Sequence, residues 1–398
     1  MKVTTEMGFH GERVARDTRR GWAVWAVLLT VVSIALAVVP ERSGVTHVYR
    51  DALQHWLAGQ DLYGTGGHGF LYLPISVIFY FPLLIKPVLL GEILWRSFTI
   101  GTFALGTLRL SQLASGRFGR PVFGLLSVVG AIVALPGARD GQATFPMAGL
   151  LMLAFAEAAA GRDTRSGLAA VGSLLLKPLS IPVMLLLGVC RPRSIPVMAV
   201  GVAILILMPF VIADRGWVIE QYFGFRHVLT MTDNLASGKW ATLAGMAANF
   251  GMPWSAPVRH AVSLVAAFGT LCGCLLAQKS LRPAEAATTM YSLAMLWLML
   301  FSPRTENNTY ICIAPTLGLG LATGLYGIGP DRVGKSRLRV TLSIVAVALV
   351  IGSYEIGKLV APERVGNWLA PLAGTFVLLD VWRDLLFNRP RDTARGSS

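Results

Sequence analysis

The segment from Gly44 to Pro74 carries the most suggestive polar residues of the chain. Over 45–57, apolar residues recur at the i, i+3, i+4 spacing of a helix, and the opposite face carries His47, Arg50 and Asp51. Because this helix follows an apolar segment, we expect it to lie in a membrane interface with its polar face toward water. There it would hold acidic and basic groups beside the head group of a lipid-linked substrate. The alternative is a solvated helix with no chemistry.

Other candidate residues lie in or near connections between apolar segments. Arg304 lies in the short connection 302–310, and a guanidinium matches phosphate oxygens with two parallel hydrogen bonds. The alternative for Arg304 is an ion pair with Glu306. Lys177 falls inside an apolar segment, where an ionisable residue indicates function unless it snorkels to the interface. His227 is either a hydrogen-bond donor to the phosphate of the substrate or an uninvolved loop histidine.

The composition indicates a polytopic membrane protein. Hydrophobic residues make up 54% of the chain and charged residues only 14%, against about 25% charged in soluble domains, and the mean hydropathy is +0.60. A bilayer-crossing helix needs about 20 apolar residues. The apolar runs predict segments at 22–39, 70–90, 92–112, 121–138, 143–161, 167–189, 195–213, 257–277, 285–301, 308–326, 338–354 and 367–384. The expected fold is therefore an all-α transmembrane bundle with about 10–12 spans.

The net charge of +14 is explained by membrane orientation and does not indicate nucleic-acid binding. Arginine and lysine collect in short connections and at both ends of the chain, as cytoplasmic segments of membrane proteins do. We therefore expect cytoplasmic tails at 1–21 and 385–398. Between them lies a single transmembrane domain, 22–384, whose first extracytoplasmic loop is 40–69.

The middle of this topology contains a conflict. The arginines at 117–120 and 162–165 favour the cytoplasm, yet two ordinary hairpins would place them outside. The segment 167–189 is interrupted at Lys177-Pro178, and proline breaks or kinks a helix. This segment is therefore predicted to form two short half-helices.

Motifs for several other kinds of chemistry are not found in the sequence. The four cysteines form no CxxC pair and have no histidines at metal-binding spacing, so no zinc site is predicted. No glycine-rich nucleotide loop and no HExxH motif occur. No metal ligands are predicted, and whether a divalent cation assists the reaction is left open because no DxD cluster is present.

Three motifs resemble a known family. They are Y-R-x-A at Tyr49–Ala52, W-x-x-G-x-x-L-Y at Trp56–Tyr63 and F-x-Y-L-P at Phe70–Pro74, joined by the later S-P-R-T-E-x-N-x-Y at Ser302–Tyr310. Together they resemble the polytopic glycosyltransferases of family 87, of the GT-C class, a family with bacterial mannosyltransferases and arabinofuranosyltransferases. The resemblance extends over about residues 40 to 310.

This resemblance implies a GT-C fold, a polyprenyl-phosphate sugar as donor and chemistry on the extracytoplasmic face. It also implies an acidic general base in the first outer loop, which we match to Asp51, with Glu41 and Asp61 as alternatives. Members of the family often carry the aspartate a few residues before the tyrosine, where this chain has Val45 and Thr46.

The sequence thus predicts an enzyme of the bacterial plasma membrane. It would transfer mannose or a pentose, with inversion, to a glycolipid or envelope glycan, and no cofactor beyond the lipid-linked donor is predicted. The expected phosphate-binding residues are Arg50, Lys177, His227 and Arg304. The expected substrate contacts are His47, Tyr49, Tyr63, Tyr72, Gln142, Asn307 and Asn308. The alternatives are a transporter or flippase of a lipid-linked glycan precursor and a non-catalytic subunit of an envelope assembly complex.

Overall fold

The computed structural model describes residues 2–39, 44–64, 69–233, 240–327, 333–359 and 366–387. Within these ranges it contains helices and no strand, which confirms the predicted all-α class. The α-helices are α1 (Lys2–Val38), α2 (Thr46–Leu57), α3 (Val88–Phe118), α4 (Phe123–Asp140), α5 (Thr144–Ala159), α6 (Asp163–Leu176), α7 (Ile181–Cys190), α8 (Ile195–Leu207), α9 (Pro209–Ile212), α10 (Arg215–Asp233), α11 (Leu243–Asn249), α12 (Ala256–Ser280), α13 (Pro283–Phe301), α14 (Ala314–Tyr326), α15 (Val333–Leu359) and α16 (Gly366–Phe387). Short 3-10 helices occupy Pro74–Leu84, Pro178–Ser180, Pro192–Ser194 and Asn307–Ile313.

Seven stretches of the described chain are helical, long and apolar enough to cross a membrane. They are Gly11–Val38, Val88–Phe118, Phe123–Asp140, Pro192–Ile212, Ala256–Ser280, Pro283–Phe301 and Asn307–Tyr326. Other predicted spans form shorter apolar helices, such as Thr144–Ala159 and Pro178–Cys190. A polytopic helical bundle is thus supported, with fewer full-length spans in the described residues than the 10–12 expected from hydropathy.

The ends of the predicted transmembrane domain differ slightly from the observed helices. The predicted basic tail, 1–21, is helical from Lys2 and continuous with the first span in α1. At the other end, α16 runs to Phe387, and the residues after it lie outside the described part of the chain.

The predicted span 70–90 is wrong. Its apolar residues form the 3-10 helix Pro74–Leu84, and α3 begins separately at Val88. Prolines explain the difference, because Pro74 opens this helix, Pro82 lies inside it and Pro87 precedes α3, and proline cannot donate the hydrogen bond that a continuous α-helix needs. Eleven residues of 3-10 helix extend only about 22 Å, less than the ~30 Å of a hydrocarbon core.

The predicted interruption at Lys177-Pro178 is confirmed. α6 ends at Leu176, Lys177 is extended with φ −159° and ψ 123°, and α7 begins at Ile181. An extended residue before proline is expected, because the proline ring clashes with a helical conformation of its predecessor. Two half-helices therefore replace one span and place Lys177 at their junction.

One end of the bundle, which we call the basic end, gathers connections rich in arginine. The Asp17 carboxylate in α1 accepts from the Gly124 N–H at the start of α4 at 3.2 Å. At the same end Arg117 of α3 contacts Asp384 of α16 at 3.5 Å. The Gln278 side chain, near the end of α12, donates to the Cys190 carbonyl at the end of α7 at 2.7 Å. The ends of these two helices therefore also belong to the basic end.

The opposite end, which we call the α2 end, collects the predicted outer loops. The Val45 N–H at the start of α2 donates to the Asp140 carbonyl at the end of α4 at 2.9 Å. On another connection, the Ala241 N–H donates to the Thr305 carbonyl at 2.8 Å. The Asn308 carbonyl oxygen also lies beside Gly137, near the end of α4, so the candidate residues of 302–310 are brought to the same end as α2.

This arrangement resolves the conflict over the central arginines. Since the segment Pro74–Leu84 does not extend through the bundle, α3 runs from the α2 end toward the basic end. α5 starts beside Lys177 at the α2 end and ends just before Arg162, so the connection 160–165 also lies at the basic end. The arginines of 117–120 and 162–165 therefore share one end of the bundle.

A close helix contact fixes α3 against α5 in the core. A Cβ added to Gly106 of α3 would lie 2.4 Å from the Gly149 carbonyl oxygen of α5, a distance that no side chain tolerates. Small residues at such crossings let helix backbones approach closely, as is common among membrane helices. The contact holds the start of α5, and with it Thr144, in place beneath α2.

Candidate active site at the α2 end

A buried group of charges anchors α2 to the bundle. Glu92 of α3 pairs with both Arg50 of α2 and Arg96 of α3, and it also accepts from the Thr46 hydroxyl at 2.9 Å. Arg96 extends the network by donating to the Arg139 carbonyl at 2.7 Å. Arg96 is fully buried and Glu92 nearly so, and such charges are stable only when paired and hydrogen-bonded. We call Thr46, Arg50, Glu92 and Arg96 the α2 anchor.

The α2 anchor gives Arg50 a structural partner. Arg50 was predicted to bind a donor phosphate, but it contacts Glu92 and donates to the Leu83 carbonyl at 3.1 Å. Glu92 was missed by sequence reasoning, although a carboxylate within an apolar segment is itself a signal.

Tyrosines form the wall behind α2. The Tyr49 and Tyr72 hydroxyls are hydrogen-bonded at 2.9 Å, and the Tyr49 ring stacks on Tyr80 with centroids 4.2 Å apart. The Tyr63 hydroxyl donates to the Tyr72 carbonyl at 2.7 Å. These side chains are buried, so the predicted substrate-binding residues Tyr49, Tyr63 and Tyr72 pack together in one cluster.

Burial keeps these hydroxyls protonated. It raises the pKa of Tyr49 to about 12, with hydrogen bonds to Tyr72 and Ala143 opposing and the negative charge of Glu306 adding to the rise. Burial also raises the pKa of Tyr72 well above 10, and Glu306 again contributes. The tyrosines therefore act as hydrogen-bond donors near neutral pH and not as bases.

Glu306 is the carboxylate that these residues share as a neighbour. It is half-buried at the end of the loop after α13, and its charge acts on Tyr49, Tyr72, Lys177 and Arg304. The described residues include no hydrogen-bond or ion-pair partner for its side chain. The alternative of an Arg304–Glu306 ion pair is therefore not observed, and the two charges interact at longer range.

Lys177 supplies one of the two cations. It is half-buried at the junction of α6 and α7, and its Nζ donates to the Thr144 hydroxyl at 2.8 Å. Glu306 and Arg304 are its charged neighbours. The lysine is thus held by a neutral hydroxyl rather than by a carboxylate.

Arg304 supplies the second cation. Its guanidinium lies over the Trp240 ring, 4.7 Å from the ring centroid. Burial lowers the pKa of Arg304 below its usual value, and the charge of Glu306 opposes that change. Trp240, another residue that sequence reasoning missed, holds the guanidinium by cation–π attraction.

The predicted general base, Asp51, lies elsewhere on α2. It is exposed, and no described residue contacts its carboxylate by a hydrogen bond or ion pair. Two residues along a helix correspond to a rotation of about 200°, so Asp51 faces away from the surface that carries Tyr49. Of its alternatives, Asp61 is exposed and accepts from the Tyr63 N–H at 3.0 Å, while Glu41 lies outside the described residues.

The remaining predicted contacts divide into two groups. Gln142 is 8% exposed and its backbone adjoins Ala143, whose N–H donates to the Tyr49 hydroxyl at 3.3 Å. Asn308 lies in the short helix after Glu306, where its carbonyl oxygen approaches Gly137 of α4. Both are therefore near the cluster.

The second group of predicted substrate contacts lies outside the tyrosine cluster. Asn307 forms two hydrogen bonds with Ser353 of α15, at 3.2 and 2.9 Å, which fastens the loop after α13. His47 is exposed and bonded to the Gly44 carbonyl, and His227 is exposed on α10.

The site has the chemistry of an anionic group transfer. The charge of a half-buried carboxylate acts on an ammonium, on a guanidinium and on two buried, protonated tyrosines. Such a carboxylate can accept a proton from an alcohol while the cations bind a phosphate. Among the described residues, no group of three His, Cys, Asp or Glu side chains has the arrangement of a metal site.

No family model matches the sequence, and no curated protein matches it.

Proposed function

We propose that the chain is a membrane glycosyltransferase of GT-C type. It transfers a sugar, mannose or a pentose, from a polyprenyl phosphate to a glycolipid or envelope glycan. The observation that carries this proposal is the position of Glu306, which is half-buried and acts electrostatically on both Lys177 and Arg304. The motifs that resemble those of family 87, which include this loop, point to the same reaction.

In the proposed reaction Glu306 is the general base. Its carboxylate accepts the proton of an acceptor hydroxyl as that oxygen forms a bond to the anomeric carbon of the donor sugar. The bond from the anomeric carbon to the phosphate oxygen breaks, and polyprenyl phosphate leaves with the electron pair. One carboxylate without a covalent partner implies inversion at the anomeric centre. The released proton stays on Glu306 until solvent removes it.

Lys177 and Arg304 meet the charge of the departing phosphate. Preorganised cations stabilise developing negative charge strongly in a site shielded from water. Lys177 is held by the Thr144 hydroxyl and Arg304 lies over the Trp240 ring, so the described contacts place both cations in the same part of the bundle as Glu306 without a direct ion pair to it. The buried Tyr49 and Tyr72 hydroxyls bond to each other and fix the wall behind α2, and the nearby Gln142 amide is suited to hydrogen-bond a hydroxyl of the sugar.

The proposed orientation follows from the two ends of the bundle. Arginine-rich connections gather at the basic end, which the positive-inside rule places in the cytoplasm of a bacterial plasma membrane. The α2 end then faces the extracytoplasmic side, with α2 in the interface. Lipid-linked donors and glycan acceptors are available at that surface.

Glu306 takes the role that the resemblance alone would assign to Asp51. Asp51 is exposed and no described residue is bonded to its carboxylate, whereas the charge of Glu306 acts on two cations. Asp51 remains the alternative base, and the two assignments make opposite predictions for paired variants.

Sugar transfer by the purified full chain tests the proposal. We would reconstitute it in liposomes with radiolabelled polyprenyl-phosphate mannose or pentose and a glycolipid extract as acceptor. The expected products are a labelled glycolipid and free polyprenyl phosphate. Movement of the labelled donor across the bilayer without a new glycosidic bond would favour a transporter and contradict the proposal. Mass spectrometry of envelope glycolipids from a deletion strain would then identify the sugar and acceptor.

A further inference from the structure

A cavity lies at the basic end, remote from the candidate active site. It has a volume of about 390 Å³ and lies between α13, α14, α15 and α16. Ligand-binding pockets usually measure about 300–1,000 Å³, so the volume admits a ligand group. The lining on α13 runs from Glu285 to Ser292, seven residues or about 10 Å into the bundle.

The rim of this cavity carries charges of both signs. Arg339 of α15 pairs with Asp380 and Asp384 of α16, and Arg383 contacts the same two carboxylates. Arg117 of α3 approaches Asp384 at 3.5 Å. The Arg117 and Arg383 side chains are 37% and 50% exposed, so both retain surface for a ligand.

A third carboxylate balances the rim. Glu285 also lines the cavity, and its ion-pair partner Arg282 is 68% exposed and lies outside the lining. The lining therefore contains three guanidiniums and three carboxylates, and their formal charges cancel. They are Arg117, Arg339 and Arg383, and Glu285, Asp380 and Asp384. A ligand with a single negative charge would meet as many carboxylates as guanidiniums. A zwitterion satisfies both.

The interior below the rim combines hydroxyl groups with apolar side chains. Thr289 and Ser343 line it, and the Thr316 hydroxyl donates to Ser292 at 3.0 Å. Polar groups between membrane helices are costly and by default indicate a site.

The cavity is also accessible from the side of the bundle. Three apolar lining residues, Leu342, Phe376 and Leu379, are 43%, 48% and 61% exposed. An apolar chain attached to the bound group can therefore lie along α15 and α16 on the surface that meets lipid.

We propose that this cavity binds the head group of a zwitterionic aminophospholipid from the leaflet at the basic end. The phosphate contacts Arg117 and Arg383, the primary ammonium contacts Glu285 and Asp380, and an acyl chain follows the exposed apolar surface of α15 and α16. This site is separate from the sugar-transfer site and does not depend on that function.

Lipid retention by the full chain tests the proposal. The purified protein is delipidated in detergent, and binding of phosphatidylethanolamine, phosphatidylglycerol and phosphatidylcholine with identical acyl chains is measured by native mass spectrometry. We expect one phosphatidylethanolamine per chain, held about tenfold more tightly than the other two, since one charge-assisted contact contributes about 1.4 kcal/mol. Free phosphoethanolamine is expected to compete weakly.

Two variants locate the binding. Thr289→Phe fills the cavity, and Arg383→Gln removes one phosphate contact, so each is expected to weaken phosphatidylethanolamine binding about tenfold. Thr375→Phe, a half-buried threonine on α16 outside the lining, and Arg165→Gln, an exposed arginine elsewhere at the basic end, serve as matched controls. Thermal unfolding of each variant confirms that it is folded.

Three results would overturn the proposal. They are equal retention of the three lipids, tighter binding of phosphatidylglycerol, and phosphatidylethanolamine binding that Thr289→Phe and Arg383→Gln leave unchanged in folded protein. Free phosphoethanolamine that competes as well as the lipid would show that no membrane lipid is the ligand.

Discussion

The α2 end contains two glutamates, each associated with two cations, and the two groups are built differently. In the α2 anchor, Glu92 contacts Arg50 and Arg96 directly and also accepts from Thr46. In the candidate site, Glu306 acts on Lys177 and Arg304 only at longer range. The two carboxylates also differ in burial, since Glu92 is 3% exposed and Glu306 is half-buried.

The difference separates a structural role from a chemical one. A carboxylate whose acceptor sites are filled by two guanidiniums and a hydroxyl has no capacity left for a substrate proton. A carboxylate that interacts with nearby cations only at longer range retains that capacity. Similar residue types therefore stabilise α2 in one place and, in the proposed reaction, bind substrate in the other.

Removal of the buried carboxylate should have the largest effect. Glu92→Ala leaves Arg96 buried without its counter-ion, and breaking a buried pair in this way costs about 3–5 kcal/mol. We expect a marked fall in the thermal unfolding temperature of the purified protein.

The control for this variant is Asp51→Ala on the adjacent helix. Asp51 is exposed, and no described residue is bonded to its carboxylate, so its unfolding temperature should stay close to that of the wild type. Equal losses in both variants would remove the distinction between the α2 anchor and an ordinary surface carboxylate.

Glu306→Gln should show the reverse pattern. The substitution keeps the shape of the side chain but removes its basicity, and loss of general-base catalysis lowers rates by about 10²-fold or more. The unfolding temperature should hardly change. Initial rates of sugar transfer in proteoliposomes provide the measurement.

Asp51→Asn is the paired variant for this comparison. We expect its transfer rate to stay within about threefold of wild type, a change of less than 1 kcal/mol. A large loss in Asp51→Asn together with full activity in Glu306→Gln would return the base to α2 and reject our assignment.

Loss of a single cation should have an intermediate effect. Lys177→Met removes the ammonium but keeps the apolar stem, and we expect the donor KM to rise or kcat to fall by about tenfold, since one charge-assisted contact contributes about 1.4 kcal/mol. Lys86→Met, which removes an exposed lysine from the segment before α3, is the control. If both variants behave alike, the position of Lys177 carries no special role.

Alkaline stability should show the smallest effect. The pKa of Tyr49 is raised from 10 to about 12 in the folded state, so the folded chain binds this proton more tightly than the unfolded chain does. The resulting stabilisation is complete below pH 10 and is lost as the pH rises toward 12. Tyr49→Phe should therefore make the fall in unfolding temperature over this range shallower, and an unchanged slope would contradict the prediction.

Local patterns predicted several parts of this structure. The amphipathic spacing over 45–57 matches α2, with Tyr49, Ala52 and Leu53 buried as expected, although Leu57 is exposed. The Lys177-Pro178 interruption was predictable because proline acts on its immediate neighbours. These features depend on residues a few positions apart.

The site depends on distant contacts and was predicted less completely. Tyr49 and Glu306 are separated by most of the chain, and only the packing of α2, α5 and the loop after α13 brings them together. The charge of Asp51 was visible in the sequence, but its orientation depends on which face of α2 the tyrosines bury. Hydropathy also concealed the prolines of 70–90, since an apolar run scores alike whether or not it forms a continuous helix.

That short proline-containing segment determines the direction in which every later helix crosses the membrane. A chain that turned back at Pro74–Leu84 has made one fewer traverse than its hydropathy suggests, so α3 to α6 run in the opposite sense to the naive count, and the turn at Lys177 restores the expected sense from α7 onward. If mutation lengthened this segment into a complete traverse during biosynthesis, the downstream helices would be inverted. The residues from Lys177 to Glu306 would then emerge in the wrong compartment, even though none of them had been altered.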